Sequence, residues 1–141
     1  MVNVFCDKRG AGKTKALISM ANDQVLEAKG NIVYINDDYG PCYDLDRRIR
    51  FVCIKDFDCI KSSEFYGFLC GIISGNYDID TIYIDGLFNV NSSSVKDAAL
   101  LFCSIEKISV NNGIDFFINV NVSSDEIPGF MQQYAKEYAL A

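Results

Sequence analysis

Val2–Met20 reads VNVFCDKRGAGKTKALISM. The apolar run Val2–Cys6 has the composition of a buried strand. Asp7 to Gly12 follow as a loop, and Gly12-Lys13-Thr14 ends it. A helical pattern begins at once: Leu17, Met20/Ala21, Val25 and Ala28 recur at helical spacing. That pattern predicts a helix over 14–29, with Gly30 as its C-terminal stop. A strand that runs through a tight loop into a helix makes a concave anion site. Consecutive loop N–H groups point inward. The helix N-terminus adds its unpaired N–H groups and the positive end of its dipole. Gly10 and Gly12 let the backbone approach an anion with no side chain between.

The spacing resembles the P-loop (Walker A) pattern G-x-x-x-x-G-K-[ST] of nucleoside-triphosphate-binding proteins. The resemblance implies that Asp7, Lys8, Arg9, Gly10, Ala11, Gly12, Lys13, Thr14 and Lys15 surround the phosphates. It makes Lys13 the group that reaches the terminal phosphates and Thr14 the hydroxyl offered to Mg²⁺. One position departs from the pattern. Asp7 stands where the first glycine is expected, and Asp adopts unusual backbone angles less readily than Gly. Its charge beside an anion is unfavourable unless Lys8, Arg9 or a metal offsets it. The departure bears on affinity more than on identity.

Length and composition narrow the setting. A chain of 141 residues is one domain, 1–141, long enough to bury its own core. No apolar run approaches the ~18 residues of a membrane span. The strand candidate at Val2 leaves no room for a signal peptide, so a cytoplasmic protein is expected. Six cysteines, Cys6, Cys42, Cys53, Cys59, Cys70 and Cys103, form no C-x-x-C pair, and histidine is absent. Zinc sites and histidine catalysis have little support; reduced core thiols are the expectation. Residues 1–56 carry nine basic and eight acidic groups, and residues 57–141 carry four and eleven. The second half thus offers no basic face for nucleic acid. Arg47, Arg48 and Arg50 read as a solvated loop.

Beyond the first helix, strands and helices alternate. Asn31–Asn36 (NIVYIN) is a β-branched and aromatic run ending in Asp37-Asp38. A loop turns at Gly40-Pro41, with a short helical turn expected near Asp44. Ile49–Ile54 is a third strand. Ser62, Ser63 and Glu64 start a second helix, crowded with apolar groups from Phe65 to Ile73 on more than one face. Thr81–Asp85 (TIYID) is a fourth strand. Ser94 and Asp97 open a third helix, whose buried face holds Val95, Ala98, Phe102 and Ile105 and whose end is Asn111-Asn112-Gly113. Asp115–Val122 is a fifth strand. Pro128 then begins a last helix, docked through Phe130, Tyr134 and Tyr138. This alternation predicts an α/β three-layer sandwich with a mostly parallel five-stranded sheet, and the Walker A resemblance implies that it is the P-loop NTPase fold. Crossovers are expected right-handed, with ligand at the carboxyl ends of the strands.

A metal-nucleotide site also wants a carboxylate at the end of a neighbouring strand. Asp85 has that position and is the Walker B candidate. Many P-loop ATPases carry Glu next; here the residue is Gly86. Asp37 and Asp38 are the substitutes for orienting water, with Asp38 grouped with Lys13 and Asp85 as catalytic candidates. Thr14 and Asp85 are the metal candidates. Asn119 and Asn121 are candidate sensors of the γ-phosphate.

The segments DKRGAGKTK at 7–15, NIVYINDD at 31–38, YDLDRRIRFV at 43–52, FYGFLCGII at 65–73 and YDIDTIYIDGL at 77–87 resemble a family of short single-domain P-loop proteins of Clostridia-like bacteria. Its members carry the label "ATP-binding protein" or a label tying them to twitching-motility ATPases. The latter have an added N-terminal domain and His- and Glu-rich motifs, and this chain has no histidine. The acidic residues after the second strand are similar to those of the RecA-like and thymidine-kinase-like branches. The resemblance implies ATP (or GTP) and Mg²⁺ as ligands. Three readings follow: a slow NTPase acting as a switch, an inactive nucleotide-binding scaffold, or a nucleoside or nucleotide kinase. The apolar 65–73 helix is the candidate face for a protein partner or a second copy.

Overall fold

Residues 1–7, 12–57, 61–86, 95–121 and 129–136 are described by the computed structural model. Strand periodicity sorts the chain into two cores. Side chains alternate across a strand, and β1 (Val2–Asp7) accordingly sends Val2 and Val4 to one face and Phe5 to the other. The same alternation holds in β2 (Asn31–Asn36), β3 (Ile49–Cys53), β4 (Ile79–Ile84) and β5 (Asp115–Asn121). One face is aliphatic, with Val33, Ile35, Ile82, Ile84, Phe116 and Ile118 under α2 (Ser62–Ser74) and α3 (Val95–Asn112). The other carries Phe5, Ile32, Tyr34 and Tyr83 under Leu17, Ile18 and Ala21 of α1 (Lys13–Val25). The result is three layers.

The sheet order is β3-β2-β4-β5-β1-β6, and every pairing is parallel. All strand ends therefore share one pole, where β1 meets α1. The five expected strands are present; β6 (Ala135–Lys136) adds two residues beside β1. Strand β5 lies between β1 and β4. It sets Asn119 level with Phe5 on one side and two residues beyond Phe117, the partner of Tyr83, on the other.

Several local expectations change. Helix α1 ends at Val25, not Lys29. Gly30 instead directly precedes β2, where an added Cβ would lie 2.3 Å from the Asp78 carbonyl oxygen; close approach to the neighbouring connection, not helix capping, explains that glycine. In place of the expected last helix, Gly129–Tyr134 forms a 3₁₀ turn that leads into β6. Phe130 and Tyr134 still dock there, with ring centroids 5.8 and 6.2 Å from Phe102. The i, i+4 spacing identified docking residues but not the backbone that carries them. The turn after Gly40 is 3₁₀ over Gly40–Tyr43. Gly113 closes α3 at φ 64, as a left-handed C-terminal stop. Glu64 Oε1 accepts from the Lys61 N–H at the start of α2. Among the described cysteines only Cys53 is buried. Cys6 and Cys70 are half-buried, Cys42 and Cys103 are exposed, and all five are free thiols. The expectation of core thiols is corrected accordingly. Ser94 and Pro128 lie outside the described residues. Among the described residues, no helix is long and apolar enough to cross a membrane.

Candidate functional site

The junction of β1 and α1 begins with a backbone requirement. Gly12 has φ 82 and ψ 14, a left-handed conformation that glycine adopts without strain. An added Cβ there would meet nothing within 4 Å, so the glycine serves the turn rather than a close contact. Lys13 and Thr14 then start α1, where the first N–H groups have no partner inside the helix. Lys13 is only 5% exposed, and Thr14 is exposed. The Lys13 ammonium acts on the Cys6 thiol at the end of β1. Burial pushes that thiol up and the lysine charge works against the shift. Lys15 is exposed on the first turn. Lys8, Arg9, Gly10 and Ala11, together with the side chain of Asp7, lie outside the described residues.

Asp85 is the other half of the site. It follows β4 directly and is 6% exposed. Its backbone N–H donates to the Ile35 carbonyl at 2.8 Å, which ties it to β2. Burial raises its pKa, and hydrogen bonds from Thr14, Asn119 and Tyr34 lower it; the neighbouring Asp37 charge raises it further. A hydroxyl from the first turn of α1 therefore meets a carboxylate from β4. Asn119 closes the gap from β5, the strand between β1 and β4.

The two acidic residues after β2 part company. Asp38 is exposed, and its Oδ1 accepts from the Gly40 N–H at 2.8 Å and from Asn36 Nδ2 at 3.2 Å. That is turn-capping geometry. Asp37 instead faces Asp85 and Gly86. Gly86 has φ 75, and an added Cβ would lie 2.5 Å from Asp37 Oδ1. The carboxylate of Asp37 thus occupies the space that a side chain at position 86 would need. Sequence reasoning named Asp37 but put Asp38 in the catalytic group. Two adjacent acids at a strand end look alike until the neighbouring strand is placed. Tyr34, whose hydroxyl reaches Asp85 Oδ2 at 3.3 Å, was missed. Only its pairing with Tyr83, two residues before the strand-end acid, could have signalled it.

The arginine cluster sits elsewhere. Arg50 lies near the start of β3 and Arg47 and Arg48 just before it, so all three are at the opposite pole of a parallel sheet. Arg48 pairs with Asp46 at 2.9 Å. Its guanidinium holds the Asp46 carboxyl down to about 2.

No family model and no curated protein matches this chain. Solved structures do match. The flagellar accessory protein FlaH from Methanocaldococcus jannaschii aligns over 91% of this chain and 63% of its own, with a TM-score of 0.57 and 13% identity. This chain thus spans somewhat less than two thirds of that protein's length. The likeness is one of fold: an α/β fold with a parallel sheet between helical layers.

Proposed function

We propose that this chain binds a nucleoside triphosphate, ATP before GTP, together with Mg²⁺ at the β1–α1 junction, and hydrolyses it slowly as a switch. The observation that carries the reading is the buried Asp85 carboxylate in hydrogen-bond contact with the first-turn hydroxyl of Thr14. A helix N-terminus, a lysine and a hydroxyl provide for the phosphates. The hydroxyl and the carboxylate provide for the metal.

The donor set fits Mg²⁺. Both candidate ligands are hard oxygen atoms, which suit Mg²⁺ over softer metals. Two protein donors would leave the remaining ligand positions to water and phosphate oxygens. Bound there, the cation would neutralise charge on the phosphates. Lys13 would hold the terminal phosphates, and Asp85 would fix the metal end. Asp37 is the group we assign to orienting the attacking water, because its carboxylate fills the place of the missing Glu beside Gly86. Slowness follows from two features. The aspartate is shorter than the usual glutamate. Among the described residues, the arginines Arg47, Arg48 and Arg50 stand at the far pole, away from the site.

Calorimetric titration with ATP and with GTP, each with and without Mg²⁺, tests the binding. Micromolar affinity, about −8 kcal/mol, tightened by Mg²⁺, is expected. No heat at millimolar nucleotide would overturn the proposal. Asp37→Asn is expected to keep ATP affinity and to slow phosphate release in a single turnover about a hundredfold, the scale of a lost general base. An unchanged rate would remove Asp37 from the mechanism. Gly86→Ala is expected to lower stability by about 1–3 kcal/mol, since it combines a strained φ with a clash against Asp37. Thermal melting measures it.

A second reading has its own observation. On α2, Tyr66, Gly67 and Gly71 face outward, and Phe57, 57% exposed, packs on Phe68 with centroids 5.2 Å apart. A partner or a second copy on that face would make the chain a nucleotide-dependent scaffold. Phosphate release in the presence of Mg²⁺ separates the switch from the scaffold.

A further inference from the structure

Under α1, the sheet carries one aromatic ring on each of five adjacent strands. Phe51, Tyr34, Tyr83, Phe117 and Phe5 follow the order β3-β2-β4-β5-β1. Successive centroids are 6.4, 6.0, 5.1 and 6.5 Å apart, and no two successive planes differ by more than 23°. Two rings carry hydroxyls. That of Tyr83 donates to Gln24 of α1, towards the far end of that helix. That of Tyr34 points the other way. Tyr34 is level with Tyr83 on β4, and Asp85 lies two residues further along. Alternation puts Asp85 on the same face, diagonally placed and within reach of a long aromatic side chain. The Tyr34 hydroxyl donates to Asp85 Oδ2 at 3.3 Å.

We propose that Tyr34 is a positioning residue that fixes the Asp85 carboxylate for a divalent cation, and that the aromatic ladder is the frame holding its hydroxyl in place. The inference rests on the reading of Asp85 as the metal-side carboxylate. Of Thr14, Asn119 and Tyr34, which all bond Asp85, Thr14 belongs to the helix start, where phosphate and metal would also draw on it. Asn119 approaches from β5. Tyr34 is fully buried, with Phe51 on one side and Tyr83 on the other. Its hydroxyl cannot swing away unless the ring leaves a close-packed stack. The orientation of the carboxylate is thereby set before any ligand arrives. Groups that orient a metal ligand in this way change metal affinity by about 10–100-fold when removed.

The test titrates Mg²⁺ against the full chain at fixed ATP and repeats the ATP titration in EDTA. Tyr34→Phe removes one oxygen and keeps the ring in the stack. It is expected to raise the Mg²⁺ needed for half-maximal tightening about tenfold, with ATP affinity in EDTA unchanged. Tyr83→Phe removes the other hydroxyl of the same ladder and is expected to leave the Mg²⁺ requirement as in the unmodified protein. An unchanged requirement in Tyr34→Phe would overturn the assignment, as would an equal rise in both variants, which would mark a general effect of the stack. If ATP binding by the unmodified protein does not respond to Mg²⁺, the metal reading of Asp85 itself fails, and this inference with it. A Mg²⁺ response that survives intact in Tyr34→Phe sinks the inference alone.

Discussion

Lys13→Ala is expected to weaken ATP binding about a thousandfold while leaving the fold intact. Lys13 is the first residue of α1 and is buried beside the end of β1. An ammonium held there lies where the helix N-terminus already favours an anion. Losing one partner of a buried charge-assisted contact costs about 2–5 kcal/mol. Folding should not suffer. Alanine is the best helix former, so the first turn of α1 is kept. Calorimetry should therefore show affinity collapsing in a chain that still folds. An unchanged dissociation constant would sink the site assignment, and a lost fold would mean that Lys13 is chiefly a structural cation.

Asp85→Asn carries the second large effect, and it is felt only when the metal is present. Without nucleotide, the carboxylate is buried, its charged form is disfavoured by desolvation, and Asp37 repels it. A neutral amide of the same shape removes both costs but offers Nδ2 where a donor from Thr14, Asn119 or Tyr34 needs an acceptor, so the nucleotide-free variant should stay folded with little change in melting temperature. With ATP, the variant should lose nearly all of the tightening due to Mg²⁺, because the carboxylate proposed to hold the cation is gone. ATP affinity in EDTA should stay close to that of the unmodified protein. Equal losses with and without Mg²⁺ would count against the metal role of Asp85.

The two variants separate the halves of the site by ligand. Lys13 acts on phosphate, so its removal is felt with or without metal. Asp85 acts on the cation, so its removal is felt only with metal. Tyr34→Phe should resemble a weakened Asp85→Asn rather than a weakened Lys13→Ala, because its hydroxyl bonds the Asp85 carboxylate.

Much of this architecture is legible in local pattern. Val2–Cys6, Asn31–Asn36 and Thr81–Asp85 read as strands because β-branched and aromatic residues run together there. The loop after β1 reads as an anion site because glycine, lysine and threonine stand at set distances from a helix start. Gly113 reads as a helix stop because its left-handed φ is one that other residues rarely adopt. These are properties of neighbours in sequence, and periods of 2 and 3.6 express them directly. The same local signals misplaced the end of α1 and turned the 129–136 segment into a helix. In both places the backbone follows contacts with distant residues: Gly30 with Asp78, and Tyr134 with Phe102 and Glu106.

By itself the sequence determined the first five strands, the first three helices and the residue types at the loop, since each depends on spacing along one stretch of chain. Tertiary structure alone decided the strand order β3-β2-β4-β5-β1-β6. That order put β5 and Asn119 between the loop and Asp85. It turned Asp37 rather than Asp38 towards Gly86, and it brought the Tyr34 hydroxyl to the Asp85 carboxylate across 51 residues. The physical reason is that a parallel sheet joins strands far apart in the chain. Which side chains become neighbours is therefore set by pairing and register, and no local period records either.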